Sequence, residues 1–159
     1  MNSSQQNITQ PALYLDIDGV LLGKKNGRPT LAKGASEFLK FVTLHFNCHW
    51  LTTHCQGDAT TAVNHLKPYV GSGLRKTLAL IKPTRFNVLK TEALPKEGLF
   101  YWLDDQPLAA ELHFLEENRL ATHLLRVNTY KNRDDLVKCL NLLRQWQSEG
   151  LFEDPQPTP

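Results

Sequence analysis

Residues 12–20 read ALYLDIDGV, and a stretch of the same build, LFYWLDD, occupies residues 99–105. Each is an apolar run of strand length that ends in carboxylates, and in the first a glycine follows at once. Such runs suit strands buried on both faces, with the glycine marking a tight turn. Two more runs fit the same role: NCHWLT at 47–52, which closes on Thr52 with Thr53 behind it, and HLLRV at 123–127. Between these runs, Ala35, Phe38, Leu39, Val42 and Phe46 fall at helical spacing and give one apolar face. A second helix is predicted at about 57–67, and Pro107 suits the first turn of a third. A last helix is predicted from Asn132, as its cap, to Glu149, with Gly150 as the stop. The stretch 70–87 carries a short strand at Leu78–Lys82 and little else that is decided; residues 19–34 read as a Gly/Lys/Pro-rich loop. Strands alternating with helices predict an α/β fold, a three-layer α/β/α sandwich on a mainly parallel, Rossmann-like sheet. In such a sheet, ligands bind beyond the carboxyl ends of the strands, which is where the acidic residues and threonines collect.

A chain of 159 residues, 41% hydrophobic and 21% charged, is sized for one globular domain. That domain is expected to span 11–150, between polar ends at 1–10 and 151–159 that read as disordered. No apolar run approaches the ~20 residues that cross a bilayer. MNSSQQNITQ has neither the basic start nor the apolar stretch of a signal peptide, so a cytoplasmic location is expected. Cys48, Cys55 and Cys139 cannot all pair within the chain, which favours free thiols. The net charge of +2 hides an uneven distribution. Residues 19–36 contain no acid but hold Lys24, Lys25, Arg28 and Lys33; residues 59–91 contain none but hold Lys67, Arg75, Lys76, Lys82, Arg85 and Lys90. The segment from Asp104 to Glu117 is acidic. This asymmetry is that of an anion-binding face or of a solvated basic surface.

Asp16-Ile17-Asp18 is the main chemical signal. A calcium loop is excluded, because its sixth position is Leu21 rather than Gly and its twelfth is Gly27 rather than Glu. A metal-binding Asp-x-Asp of a sugar transferase would need nucleotide-sugar and acceptor sites for which the chain is short. Cys55 does not start a cysteine-phosphatase loop, since the position that needs arginine is Thr61. His45, Cys48, His49, His54 and Cys55 span a helix end and a strand whose neighbours face opposite ways, which argues against zinc.

On these residues the chain resembles the haloacid dehalogenase superfamily. The four motifs of that superfamily run in order over about residues 12–130: Asp16 to Val20, the strand ending at Thr52 (with Thr53 as competitor), Lys90 in LKTEA, and Trp102-Leu103-Asp104-Asp105. Lys76 and Lys82 compete with Lys90 for the third. The resemblance implies an uncapped, Mg²⁺-dependent phosphatase. Asp16 would be the nucleophile and Asp18 the acid and base. Thr52 or Thr53 and Lys90 would bind the phosphoryl group. Asp16, Asp18 (through its carbonyl), Asp104 and Asp105 would serve the metal, with Asp105 favoured over Asp104 as the direct ligand. The chemistry is coherent in itself, because a carboxylate attacking an anionic ester needs cationic help and Mg²⁺ takes oxygen ligands. Spacings 18–52 and 53–90 leave no room for a sizeable cap, so the expected substrate is a phosphorylated compound reached through an open site, including nucleotides or a nucleic-acid end. The alternative is a non-catalytic domain that keeps the metal and phosphate site for binding.

Overall fold

In strand β1 (Ala12–Leu15), Leu13 and Leu15 point to one side and Tyr14 to the other, and each side has its own core. The computed structural model describes residues 10–152, so the ends at 1–9 and 153–159 lie outside the described residues. The remaining elements, in chain order, are β2 (Leu22–Lys25), β3 (Arg28–Leu31), α1 (Ala35–His45), β4 (Asn47–Trp50), α2 (Thr60–Leu66), α3 (Ser72–Leu78), β5 (Phe100–Asp104), α4 (Ala109–Glu117), β6 (Leu124–Arg126) and α5 (Asp135–Ser148). Short 3₁₀ turns lie at Lys67–Tyr69, Lys90–Ala93 and Ala121–His123.

The main sheet has the order β4-β1-β5-β6, and every pairing in it is parallel. Its larger core joins Leu13, Leu15, Trp50 and Leu103 to Phe38, Leu39 and Val42 of α1, Leu66 of α2, Leu74 and Leu78 of α3, and Leu136, Leu140 and Leu143 of α5. Phe38 is fully buried there, and its truncation to alanine would cost about 3–5 kcal/mol. The opposite face gathers Tyr14, Phe100 and Trp102 under Leu115 of α4, with Phe86 and Leu94 from the long connection before β5. Helices therefore flank the parallel sheet on both faces, as the alternation of elements predicts.

The chain leaves β1 for β4, touches the outer edge of β4 at Lys82, and only then crosses back to β5 on the other side of β1. The strand order thus reverses between β1 and β5, and the carboxyl ends at such a reversal are the expected ligand position in these sheets.

Several local expectations are corrected. The loop after Gly19 contains an antiparallel hairpin, β2–β3, turned by Asn26 and Gly27, both at positive φ (52° and 74°). Asn-Gly is a strong signal for such a turn, because both central residues need left-handed backbone. The strand expected at Leu78–Lys82 shrinks to a single bridge between His49 and Lys82; Ser72–Leu78 is helical instead, and Pro83 has no N–H with which to continue a ladder. The second helix starts only at Thr60, whose N–H is taken by Asp58 Oδ1 at 2.8 Å. Pro107 lies before α4 rather than in its first turn, and α5 begins at Asp135 rather than just after Asn132. Residues 151 and 152, expected in the disordered tail, fold back: Leu151 N–H donates to Trp146 O at 3.0 Å, and Phe152 packs edge-on against Phe46 at 4.8 Å. No helix among the described residues is long and apolar enough to cross a membrane.

Candidate active site

Parallel pairing continues one residue past β1, where Asp16 N–H donates to Leu103 O at 3.1 Å. This sets the carboxylate of Asp16, a residue only 8% exposed, beside the end of β5. Lys90 enters from the 3₁₀ turn at 90–93 and donates from Nζ to Asp16 Oδ2 at 2.9 Å and to Asp104 Oδ2 at 2.5 Å. The other oxygens are held too: Asp16 Oδ1 accepts from Ile17 N–H at 2.8 Å, and Asp104 Oδ1 from Gln106 N–H at 2.9 Å. Asp105 is half-buried, and its side chain lies against Gly19. A β-carbon added at Gly19 would sit 2.9 Å from Asp105 Cβ and nearer still to the carboxylate; with φ at +75°, glycine is required there. Asp16, Asp104 and Asp105 each offer an oxygen, all within 4.8 Å of one another.

Glu111 supports this triangle and is not among the residues expected from sequence. It is 2% exposed, accepts from Lys90 N–H at 2.7 Å with one oxygen, and accepts from Leu108 N–H at 2.8 Å with the other. It thus caps α4 and fixes the backbone that carries Lys90. A glutamate in the third helical position was the available signal, but Leu108 has no side-chain acceptor to complete the reciprocal capping pattern.

The charges explain what the triangle could hold. Burial pushes the Asp16 carboxyl up; Lys90 pulls it back and Asp104 pushes it further, for a net rise to about 7. Burial alone would lower Lys90, but the Asp16 and Asp104 carboxylates outweigh it and hold its pKa above the ordinary value. Asp105 is raised, first by burial and then by Asp104. Three carboxylates face one ammonium, so a divalent cation among them would offset the excess. The donors are all hard oxygens, as Mg²⁺ prefers. Asp16 and Asp104 each already accept a hydrogen bond on both oxygens, so Asp105 is the carboxylate of the three with the most capacity left for an ion.

Asp18 is turned elsewhere. Its Oδ2 meets His54 Nε2 at 2.7 Å and its Oδ1 meets His65 Nε2 at 3.0 Å. Burial would raise its pKa, but the hydrogen bonds from His65 and His54 prevail and lower it. Thr52 is buried at the end of β4, where its Oγ1 accepts from His54 N–H at 3.3 Å, whereas Thr53 is exposed. Thr52 is thus the inward-facing member of that pair. Of the three candidate lysines, Lys90 reaches the carboxylates; Lys76 is exposed on α3, and Lys82 sits at the sheet edge beside His49.

The histidines and cysteines considered for zinc go separate ways. His45 packs on Phe41, His49 stacks on Tyr14, Cys48 S–H donates to Val42 O at 3.3 Å, and Cys55 is buried beside Asp58 O and Thr84 O. Two further residues sit at the mouth of the site without having been expected. Thr129 ties the loop after β6 to Gly19, its N–H donating to Gly19 O at 2.7 Å. Tyr130 is 41% exposed; burial first, then the nearby Asp18 and Asp105 charges, raise its phenol. Lys24 Nζ lies 4.6 Å over the centre of its ring. Compared with models of known protein families and with curated proteins, the chain finds no match.

Proposed function

We propose that this protein is a Mg²⁺-dependent phosphomonoester hydrolase of the haloacid dehalogenase type, acting through an aspartyl-phosphate on Asp16. The observation that carries the reading is the Lys90 ammonium lying between Asp16 and Asp104 at the strand-order reversal, with the Asp105 carboxylate alongside. Asp16, Asp105 and the Asp18 carbonyl would hold the ion, which when bound supplies positive charge to the phosphoryl oxygens and to the nucleophile. Asp16 attacks phosphorus in line, and Lys90 and the Thr52 hydroxyl donate to the phosphoryl oxygens. Asp18 gives a proton to the leaving oxygen and then takes one from the water that releases phosphate from Asp16.

The basic residues of the hairpin favour an anionic substrate larger than the phosphate itself. Lys24, Lys25, Lys33 and Arg133 line a recess next to Thr129, on the side of the hairpin that joins the site. Lys33 is partly spent on Asp134, at 2.7 Å, which leaves Lys24, Lys25 and Arg133 for a ligand. A phosphorylated nucleotide or a nucleic-acid end fits this distribution, and its binding would weaken steeply with salt.

The test is turnover of 4-nitrophenyl phosphate with Mg²⁺, after thorough chelation, and after Mg²⁺ is restored. Activity should appear, vanish and return. Turnover that survives chelation would overturn the metal assignment. Mg²⁺ binding without turnover of any phosphomonoester would establish the non-catalytic alternative. A phosphorylated oligonucleotide compared with mononucleotides across a salt series tests the substrate class; equal efficiency and equal salt slope would remove the polyanion.

A further inference from the structure

Asp18, His54 and His65 form a second cluster of chemistry-bearing side chains, apart from Asp16, Asp104 and Asp105. His54 comes from the loop after β4 and His65 from α2, so two separate elements converge on one carboxylate. Each imidazole takes its own oxygen, at 2.7 and 3.0 Å, and the two rings stack with centroids 3.8 Å apart and planes 16° apart. His65 lies on α2 between Ala62 and Leu66, both fully buried, so the core holds the helix that carries its ring. The hydrogen bond from the His54 backbone N–H to Thr52 Oγ1 ties the backbone that carries the other imidazole to the end of β4.

A metal ion shared by the two imidazoles suits this arrangement poorly. The nitrogen lone pair lies in the ring plane, and two planes so nearly parallel do not converge close to both nitrogens. A hydrogen-bonded clamp suits it well. An ionised carboxylate offers about four acceptor positions, so two N–H donors still leave room for a leaving group or a water. Left alone, an aspartate side chain at a turn would have to be oriented anew in each catalytic cycle, and orientation is a large part of the barrier.

We propose that His54 and His65 are positioning residues that hold the Asp18 carboxylate at the angle from which it exchanges a proton with the leaving group. This rests on the phosphatase reading of the site. In the first step Asp18, having taken up a proton from solvent, passes it to the departing oxygen as the Asp16 Oδ–P bond forms and the ester P–O bond breaks. In the second step water attacks phosphorus, its proton passes to Asp18, and the Asp16 Oδ–P bond breaks. The imidazole protons stay in place throughout.

The demand on the clamp grows with the basicity of the leaving group. A 4-nitrophenolate leaves without a proton, whereas an alkoxide needs one. The experiment compares kcat/KM for 4-nitrophenyl phosphate and 2-phenylethyl phosphate, because kcat/KM covers only the steps up to breakage of the ester bond. The variants are His54→Phe, His65→Phe, His54→Gln and His65→Gln, each checked by thermal melting. In either phenylalanine variant the aryl-to-alkyl ratio of kcat/KM should rise by about tenfold or more, a part of what general acid catalysis contributes. In the glutamine variants, whose amide nitrogen reaches the place of Nε2, the ratio should return to within about threefold of the parent. Equal losses on both substrates, or glutamine no better than phenylalanine, would overturn the clamp while leaving the phosphatase intact. A parent protein that hydrolyses neither ester with Mg²⁺ would remove the phosphatase reading, and the clamp with it.

Discussion

Asp16 and Asp18 are separated by one residue, yet their surroundings push them in opposite directions. Asp16 lies at the carboxyl ends of β1 and β5, facing a half-buried ammonium and a second carboxylate, and its pKa rises to about 7. Asp18 is half-exposed under two imidazoles, and its pKa falls. Ile17 between them is fully buried in the larger core and anchors the bend that separates their surroundings. Two carboxylates whose environments pull them apart are suited to different tasks, and a single residue type can fill both. Under the proposed function, Asp16 would be the carboxylate whose charge a cation relieves, and Asp18 the one held in place to pass protons.

The contrast can be broken by substitution, and the largest effect belongs to Asp16. Asp16→Asn should lower turnover of 4-nitrophenyl phosphate by on the order of 10⁴-fold or more, with the fold retained in circular dichroism. Substantial residual activity would mean that another group is the nucleophile. Asp18→Asn should cost less, on the order of 10²–10³-fold in kcat, and should trap phosphate on Asp16, visible by intact mass. If Asp18→Asn is as inactive as Asp16→Asn and carries no phosphate, the two residues do not divide the work in this way.

Lys90→Met sharpens the comparison through stability as well as rate. It strands the buried Asp16 and Asp104 without a counter-charge, and since Lys90 itself is partly exposed the loss should fall at or below about 3–5 kcal/mol, the cost for a fully buried pair. Chemical denaturation of the metal-free protein at neutral pH should show this loss, with Mg²⁺ restoring part of it. An unchanged midpoint would separate Lys90 from the carboxylates in solution.

The smallest effect is a pH dependence. With its folded pKa raised, Asp16 binds its proton more tightly in the folded than in the unfolded chain, so its contribution is full below the ordinary carboxylate range and is lost as pH rises toward about 7. In chelator, the parent should therefore lose on the order of 1–3 kcal/mol relative to Asp16→Asn between about pH 4 and 7, and no more above that. Urea midpoints of the two proteins across that range measure the difference, and a flat difference would show that Asp16 is not under strain.

The main strands and the meeting of Asp16 with Asp104 and Asp105 were legible because the strands are largely apolar and each carboxylate pair stands at the end of one. ALYLDID and LFYWLDD state both the burial of the strands and the polarity of their ends in consecutive letters. The choice of Lys90 over Lys76 and Lys82 was harder to read, because a lysine's role depends on what its ammonium reaches, and no local pattern encodes that. The positions of His54 and His65 were hidden for the same reason: eleven positions apart and on different elements, they meet only through the return of α2. The hairpin was legible in Asn26-Gly27 but obscured by the lysines and Pro29 around it. Helix α3 was obscured by Gly71 and Gly73, which lower helical propensity at its start.

Trp50 and Trp102 have no solvent exposure, and the indole N–H of each is without a partner. Each stands two residues before a site residue, Thr52 in one case and Asp104 in the other. The protein thus carries two buried indoles on strands that lead to the candidate site, one in each of its two cores. Their emission should lie toward the blue in the folded chain and move to longer wavelength on unfolding. The third tryptophan, Trp146 of α5, lies tilted against Tyr101 of β5 with ring centroids 5.1 Å apart and would contribute a steadier background. Replacing Trp146 with phenylalanine would leave the two strand-borne indoles to report cation arrival and ester binding in a stopped-flow trace, without any label.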